Sequence, residues 1–329
     1  MKPGTNRLRR PGLAGALLLL GLALAGPLRT AAAGAPAPLR FGFSSAIFAG
    51  VNEGDAHAAI KIWARTLGAD CGIEVDSSLL LLDGTAGLKE ALQSRKIDGA
   101  SMSALEYWEL RRFVPFSPSV LLGVTNGETT QRYLLLVRRD NPASNLVGLR
   151  GQTLAILGNP SATLGQTWIE TLLLEKKLGR SGTFWRKAER HDKLSQVILP
   201  VFFRKVDACV VTRAGFQTMR ELNPQVGKQL KVLAESGPLV SATLCFRGDT
   251  TSPYLGKLLA DIARVASTPA GRQTLAIFQS DGIVACPASD LDGACALLDR
   301  HQELLQAEEA AAPGAPPAAA SADGKDGNP

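Results

Sequence analysis

Three short runs of hydroxyl-bearing residues stand directly after apolar, strand-like stretches: Ser44-Ser45, Ser101-Met102-Ser103 and Asn159-Pro160-Ser161-Ala162-Thr163. Each also opens a segment with helical spacing. A helix start presents backbone N–H groups without intrahelical partners and the positive end of the helix dipole, and a Ser or Thr there adds a hydroxyl. That chemistry suits a small anion. Any one of these hydroxyls, taken alone, is better explained as a cap on its own helix. Three such loops in two βα halves point instead to a shared cleft, because loops at the carboxyl ends of strands gather in one crevice in open α/β sheets.

Other chemistry is sparse. The histidines are His57, His191 and His301, and no G-x-S-x-G elbow, H-E-x-x-H pair or P-loop occurs. Glu106 and Glu109 read as a solvated helix face rather than an acid–base pair. Nothing sets a base beside a nucleophile, so catalysis is not expected. The five cysteines, Cys71, Cys209, Cys245, Cys286 and Cys295, match no zinc spacing, and neither a metal nor a cofactor is expected. Cys286 and Cys295 stand nine apart across a proline-containing loop and are the best candidates for a disulfide. Cys209 and Cys245 sit in apolar runs and read as buried thiols.

The elements that must position the hydroxyl runs alternate along the chain. Strand patterns fall at residues 39–43, 74–82, 97–101, 120–124, 132–137, 153–157, 208–211, 230–234 and 240–247. Helical spacing falls at 57–67, 85–94, 105–112, 163–175, 193–203, 214–222, 254–266 and 270–278. Strands separated by helices of this length imply parallel sheets with crossover connections, an α/β fold.

The 329 residues carry a formal charge of +6. Five of the 36 basic residues, Lys2, Arg7, Arg9, Arg10 and Arg29, lie within the first 33 positions, which hold no acid; the other 31 face 30 acidic residues. A near-neutral remainder excludes a phosphate-backbone footprint, and no nucleic-acid partner is expected. The same first 33 residues read as a signal peptide. A basic start precedes the apolar run 13–25 and small residues at 31–35. That run would span only about 20 Å of a roughly 30 Å hydrocarbon core, too short for an anchor. No cysteine stands at the cleavage region, so a soluble periplasmic protein without a lipid anchor is expected. Residues 306–329, rich in Ala and Pro, read as a disordered tail.

Certain stretches, in this order, resemble the phosphonate-binding branch of the type II periplasmic substrate-binding proteins of ABC importers. They are Leu88-x-x-Ala91-Leu92 with Ile97-Asp98-Gly99-Ala100, then Tyr133 to Arg138, Gly148-Leu149-Arg150-Gly151-Gln152-Thr153-Leu154-Ala155, Val206-Asp207-Ala208, and Ser267-Thr268-Pro269-Ala270-Gly271-Arg272. The resemblance implies two lobes, 38–136 with 240–301 and 137–239, joined by two crossing hinge strands at 132–138 and 240–247. It implies a small anionic solute, a membrane permease as partner and a monomer. A periplasmic ligand-sensing partner of a membrane receptor is the alternative on the same fold.

The family cradles its anion with a Ser-Thr-Ser-Gly helix start. Here Ala162-Thr163-Leu164-Gly165 stands in that place, so Thr163 keeps the hydroxyl, with Ser161 as a substitute. The family's histidine before the Val-Asp-Ala strand is matched by His191, or by Lys193 because the following stretch is longer. Members that take an aminophosphonate carry a carboxylate where Val211-Thr212-Arg213 offers none. The expected ligand set is Ser45, Ser103, Ser161 and Thr163, with His191 or Lys193 as counter-charge.

Overall fold

In the computed structural model, the described residues are 36–76 and 78–311. The expected leader, residues 1–33, and residues 312–329 of the expected tail lie outside them. The strands are β1 (Phe41–Ser44), β2 (Leu80–Leu82), β3 (Gly99–Ser103), β4 (Phe116–Val124), β5 (Tyr133–Arg138), β6 (Thr153–Leu157), β7 (Lys187–His191), β8 (Ala208–Thr212), β9 (Leu230–Glu235), β10 (Ala242–Arg247) and β11 (Gly282–Pro287). The helices are α1 (Glu53–Cys71), α2 (Gly84–Gln93), α3 (Ala104–Leu110), α4 (Gly165–Glu175), α5 (Ser181–Phe184), α6 (Leu194–Phe202), α7 (Arg213–Leu222), α8 (Pro224–Gln229), α9 (Pro253–Asp261), α10 (Pro269–Ile277) and α11 (Asp292–Ala311).

Local chemistry explains many boundaries. The Asn52 side chain accepts the Asp55 N–H at 2.9 Å and starts α1, which ends at Gly72 in the left-handed region (φ 58°). The hydroxyl of Thr212 accepts the Gly215 N–H at 3.1 Å and starts α7. Asp207 accepts the Thr153 N–H at 2.8 Å and its hydroxyl at 2.7 Å, bracing the entry of β6 against β8.

The strands form two mixed sheets. One runs β11-β4-β10-β3-β1-β2 and the other β7-β6-β8-β5-β9. The β1–β2, β1–β3, β6–β7 and β6–β8 pairs are parallel; β10 and β5 run antiparallel to their neighbours. The α/β class expected from the sequence is therefore present, with antiparallel strands that period alone did not foretell. The first sheet carries apolar clusters on both faces: Phe41, Phe43, Ile60 and Trp63 on one, Leu88, Met102, Leu110 and Val120 on the other. The second sheet's core contains Tyr133, Leu135, Ile156, Trp168, Val197 and Val210.

The chain passes between sheets at residues 125–132 and returns at 236–241. Those two connections pair with each other: Gln131 donates its N–H to the Leu239 carbonyl at 2.7 Å, and Leu239 returns the bond at 2.8 Å. The stretches 132–138 and 240–247, expected as crossing hinge strands, follow directly on these connections and supply β5 and β10, one to each sheet.

Several elements differ from expectation. The strand expected at 74–82 shortens to β2, with Val75 held only by a bridge to Leu39. Strand β7 (KAERH) is an exposed edge strand without apolar alternation, so nothing in its pattern announced it. Residues 306–311, read as tail, continue α11. That helix lies against both α3 and α4: the His301 ring nitrogen Nδ1 stands 3.2 Å from the Thr171 hydroxyl, and Asp299 pairs with Arg111 at 2.6 Å. Among the described residues no helix is long and apolar enough to cross a membrane.

All five cysteines are free thiols. The Cys286–Cys295 disulfide is not formed: Cys286 lies half-buried on β11 and Cys295 lies buried on α11, and both pack against the Leu88–Met102 cluster. Burial pushes the Cys71 thiol up to about 11 and the Cys245 thiol up to about 12.

Candidate functional site

The first two hydroxyl runs converge on a carboxylate of the protein itself. Ser44, at the end of β1, accepts the Ala46 N–H at 3.1 Å and so caps the 3-10 turn Ser45–Phe48. Its hydroxyl donates to Glu106. Ser103, at the end of β3, donates both its N–H and its hydroxyl to the other Glu106 oxygen at 2.8 Å, and accepts the Glu106 N–H at 3.3 Å. This is a capping box with a third donor added from β1. Glu106 is 6% exposed, not part of the solvated face expected for it. Burying it is tolerable because three donors satisfy it and the α3 N-terminus faces it.

The third run lies at the start of α4. The Leu164 N–H donates to the Tyr133 hydroxyl at 3.3 Å, and that hydroxyl stands 3.4 Å from the Ser241 hydroxyl. Burial holds the Tyr133 phenol above its usual range. Gly165 eases this approach, since a Cβ there would stand only 3.0 Å from the Tyr133 ring. Thr163 precedes these residues, and its Oγ1 is buried without a hydrogen-bond partner. A buried, unpaired hydroxyl is destabilising unless something else fills its valence.

A cavity of about 360 Å³ lies beside Thr163. Its polar lining comes from the first sheet, the connections and the loop before α4: Ser101 and Ser103 from β3, Thr243 from β10, Thr125, Thr129, Gln131 and Ser241 from the connections, Gln279 and Ser280 from the stretch before β11, and Thr163. The rest of the lining is largely hydrocarbon, including Phe43, Phe48, Trp63, Leu244 and Phe278. Among the described residues that line it none is Lys, Arg or His; the charged ones are Asp55 and Glu128.

Of the expected ligand set, the cavity thus brings together Ser103 and Thr163. Ser45 lies outside the lining, one position beyond the Ser44 that does the capping. His191 ends β7, where its carbonyl accepts the Gly158 N–H at 3.0 Å. Lys193 is the exposed residue preceding α6. Both lie outside the lining. Ser161 falls in the 3-10 turn Pro160–Ala162. Sequence reasoning did not single out Gln131, Ser241 or Thr243. It also missed the tie between Ser103 and Glu106, although their three-residue spacing is the signature of a capping box.

Residues 46–291 match the family model described as ABC transporter, phosphonate, periplasmic substrate-binding protein. Among solved structures the fold is similar to a Xanthomonas citri protein bound to ATP, at 18% identity and a TM-score of 0.59, covering 82% of this chain and 98% of that one. It is similar to a binding protein component of an ABC phosphonate transporter from Pseudomonas aeruginosa, at 16% identity and a TM-score of 0.55, covering 85% and 90%. A third is PhnD1 of Prochlorococcus marinus in complex with methylphosphonate, at 14% identity and a TM-score of 0.54, covering 82% and 98%. At these identities the likeness is one of fold. A search of curated proteins gave no match.

Proposed function

Because this chain belongs to the family of periplasmic substrate-binding proteins of phosphonate ABC transporters, which it matches over residues 46–291, we propose that it captures a small oxyanion of phosphonate, phosphate or phosphite type at Thr163 and hands it to a membrane permease. In this reading the leader is cleaved on export, the protein works as a soluble periplasmic monomer without catalysis, and two lobes built on the two sheets close on the solute about the Gln131–Leu239 pair.

The observation that carries the reading is the Thr163 hydroxyl, buried and unpartnered beside a cavity that also takes in Ser103 at the end of β3 in the first sheet. A ligand oxygen accepting from Thr163 would satisfy that hydroxyl. The first N–H groups of α4 add donors and a positive potential in the same place. With no cation among the described residues of the lining, hydroxyls and backbone dipoles do the work, and His191 and Lys193 are left outside. Thr212, whose hydroxyl is spent capping α7, gives an aminophosphonate's ammonium no partner.

A thermal-shift series with phosphate, phosphite and methylphosphonate tests this. At a hundredfold excess over its dissociation constant, a bound ion stabilises the fold by about 2.7 kcal/mol, a melting shift of several degrees at about 2–4 °C per kcal/mol. Thr163→Ala should remove most of that shift. A full response from the Thr163→Ala protein, or a response confined to neutral or cationic solutes, would overturn the assignment.

A further inference from the structure

A tetrahedral oxyanion at Thr163 leaves most of the cavity unexplained. A cavity of about 150 Å³ already accepts benzene, and this one measures about 360 Å³. A phosphate or methylphosphonate ion is smaller than benzene. Much of the remaining wall is hydrocarbon, including Phe43, Phe48, Trp63, Leu244, Leu275 and Phe278, with Thr125, Thr129, Gln279 and Ser280 as its uncharged polar members. Water there would find few of the two to four polar partners it needs, and an unfilled wall forgoes its dispersion contacts. The space therefore suits an apolar occupant.

The aromatic residues do not form a cage for a cation. Phe43 meets Trp63 edge-on, with ring centroids 5.1 Å apart, and stacks with Phe278 at 6.5 Å. Phe48 meets Phe278 edge-on at 5.8 Å. The rings are packed against one another, whereas a cation needs open ring faces converging on it. The carboxylates Asp55 and Glu128 both belong to exposed residues of the lining. They disfavour an anionic group beside them, which leaves Thr163 as the place for the charged head.

We infer that the ligand of this cleft is an amphiphilic oxyanion, its charged head held at Thr163 and its alkyl or aryl group filling the hydrocarbon cavity beside the 3-10 turn Ser45–Phe48. The inference rests on the oxyanion reading above and narrows it: the substrate class is a phosphonate with a substantial apolar substituent, not the bare ion.

Calorimetric titration of the exported protein with methylphosphonate and hexylphosphonate tests it. Each methylene buried is worth about fourfold in affinity, or about 0.8 kcal/mol, and ordering the flexible chain takes back part of that gain. Hexylphosphonate should bind at least about tenfold more tightly than methylphosphonate. Ala59→Leu narrows the cavity from α1, and Ala46→Leu narrows it from the exposed 3-10 turn, where a larger side chain does not strain the core. Each should bring the hexyl-to-methyl affinity ratio toward one. Equal affinities in the unaltered protein, or a ratio unmoved in both variants, would overturn the apolar subsite while leaving the oxyanion reading intact. Failure of both phosphonates to bind, or binding of hexyltrimethylammonium in their place, would overturn both.

Discussion

The carboxylate of Asp299 on α11 accepts the indole N–H of Trp108 on α3 at 2.7 Å, although the two residues lie 191 positions apart. The same carboxylate takes the Arg111 guanidinium at 2.6 and 2.8 Å. Two residues on, His301 meets Thr171 of α4. One helix thus holds an element packed on the first sheet and another packed on the second.

Asp299→Ala should lower stability by about 1 kcal/mol at neutral pH. Hydrogen bonds to a charged group are ordinarily worth more, but the two side chains of this pair are 32% and 41% exposed and the pair is screened. For a chain of this length the melting point should fall by about 2–4 °C. Arg111, and then Trp108, hold the Asp299 carboxyl below its usual range. A carboxylate with a depressed folded-state pKa stabilises above its unfolded value, about 3.9, and loses that contribution as pH falls through the folded value. The melting difference between the parent protein and Asp299→Ala should be full at pH 7 and shrink below about pH 4. A difference constant down to pH 3 would assign the stabilisation to packing instead.

Glu106→Gln should strengthen oxyanion binding and weaken the fold. Ser103 both binds Glu106 and lines the cavity, so the charge sits one side chain away from any anion there. Removing a like charge at that range should raise affinity severalfold. Turning a charged acceptor into a neutral one should cost about 1–2 kcal/mol of stability. Titration calorimetry and melting curves on one preparation read both effects. Unchanged affinity would mean that the three donors already neutralise the carboxylate's field.

Closure about the Gln131–Leu239 pair should be visible by small-angle scattering. The radius of gyration should fall when a bound phosphonate saturates the protein, since ligand contacts from the first sheet and from the loop before α4 favour the closed form. Asp299→Ala, which removes the Trp108 and Arg111 ties between α3 and α11, should enlarge the difference between the free and bound profiles. Superimposable profiles at saturation in both proteins would show a rigid pocket.

The cysteines should stay reduced. Alkylation of the native protein near pH 8 should modify Cys286 alone, the half-buried thiol, and unfolding should expose all five. A linked Cys286–Cys295 peptide in a non-reducing digest would contradict this.

By itself the sequence determined the class of fold and the neighbourhood of the site. Apolar runs such as ACVVT at β8 and YLLLV at β5 are too short for ordinary helices and read as buried strands, and a Ser or Thr after such a run caps the next helix. Those are local constraints, legible one segment at a time. Tertiary structure decided what no segment contains. Strand β7 is polar except for Ala188 and becomes a strand because β6 offers it a ladder. Glu106 of α3 reads as surface until the hydroxyls of Ser44 and Ser103 reach it from the ends of β1 and β3, which makes its burial tolerable. The cavity is the clearest case. Phe43, Trp63 and Phe278 carry the same hydrophobic pattern whether their rings fill a core or line a hollow. Which of these they do depends on how closely β1, α1 and the residue after α10 approach, a distance set by the whole packed lobe.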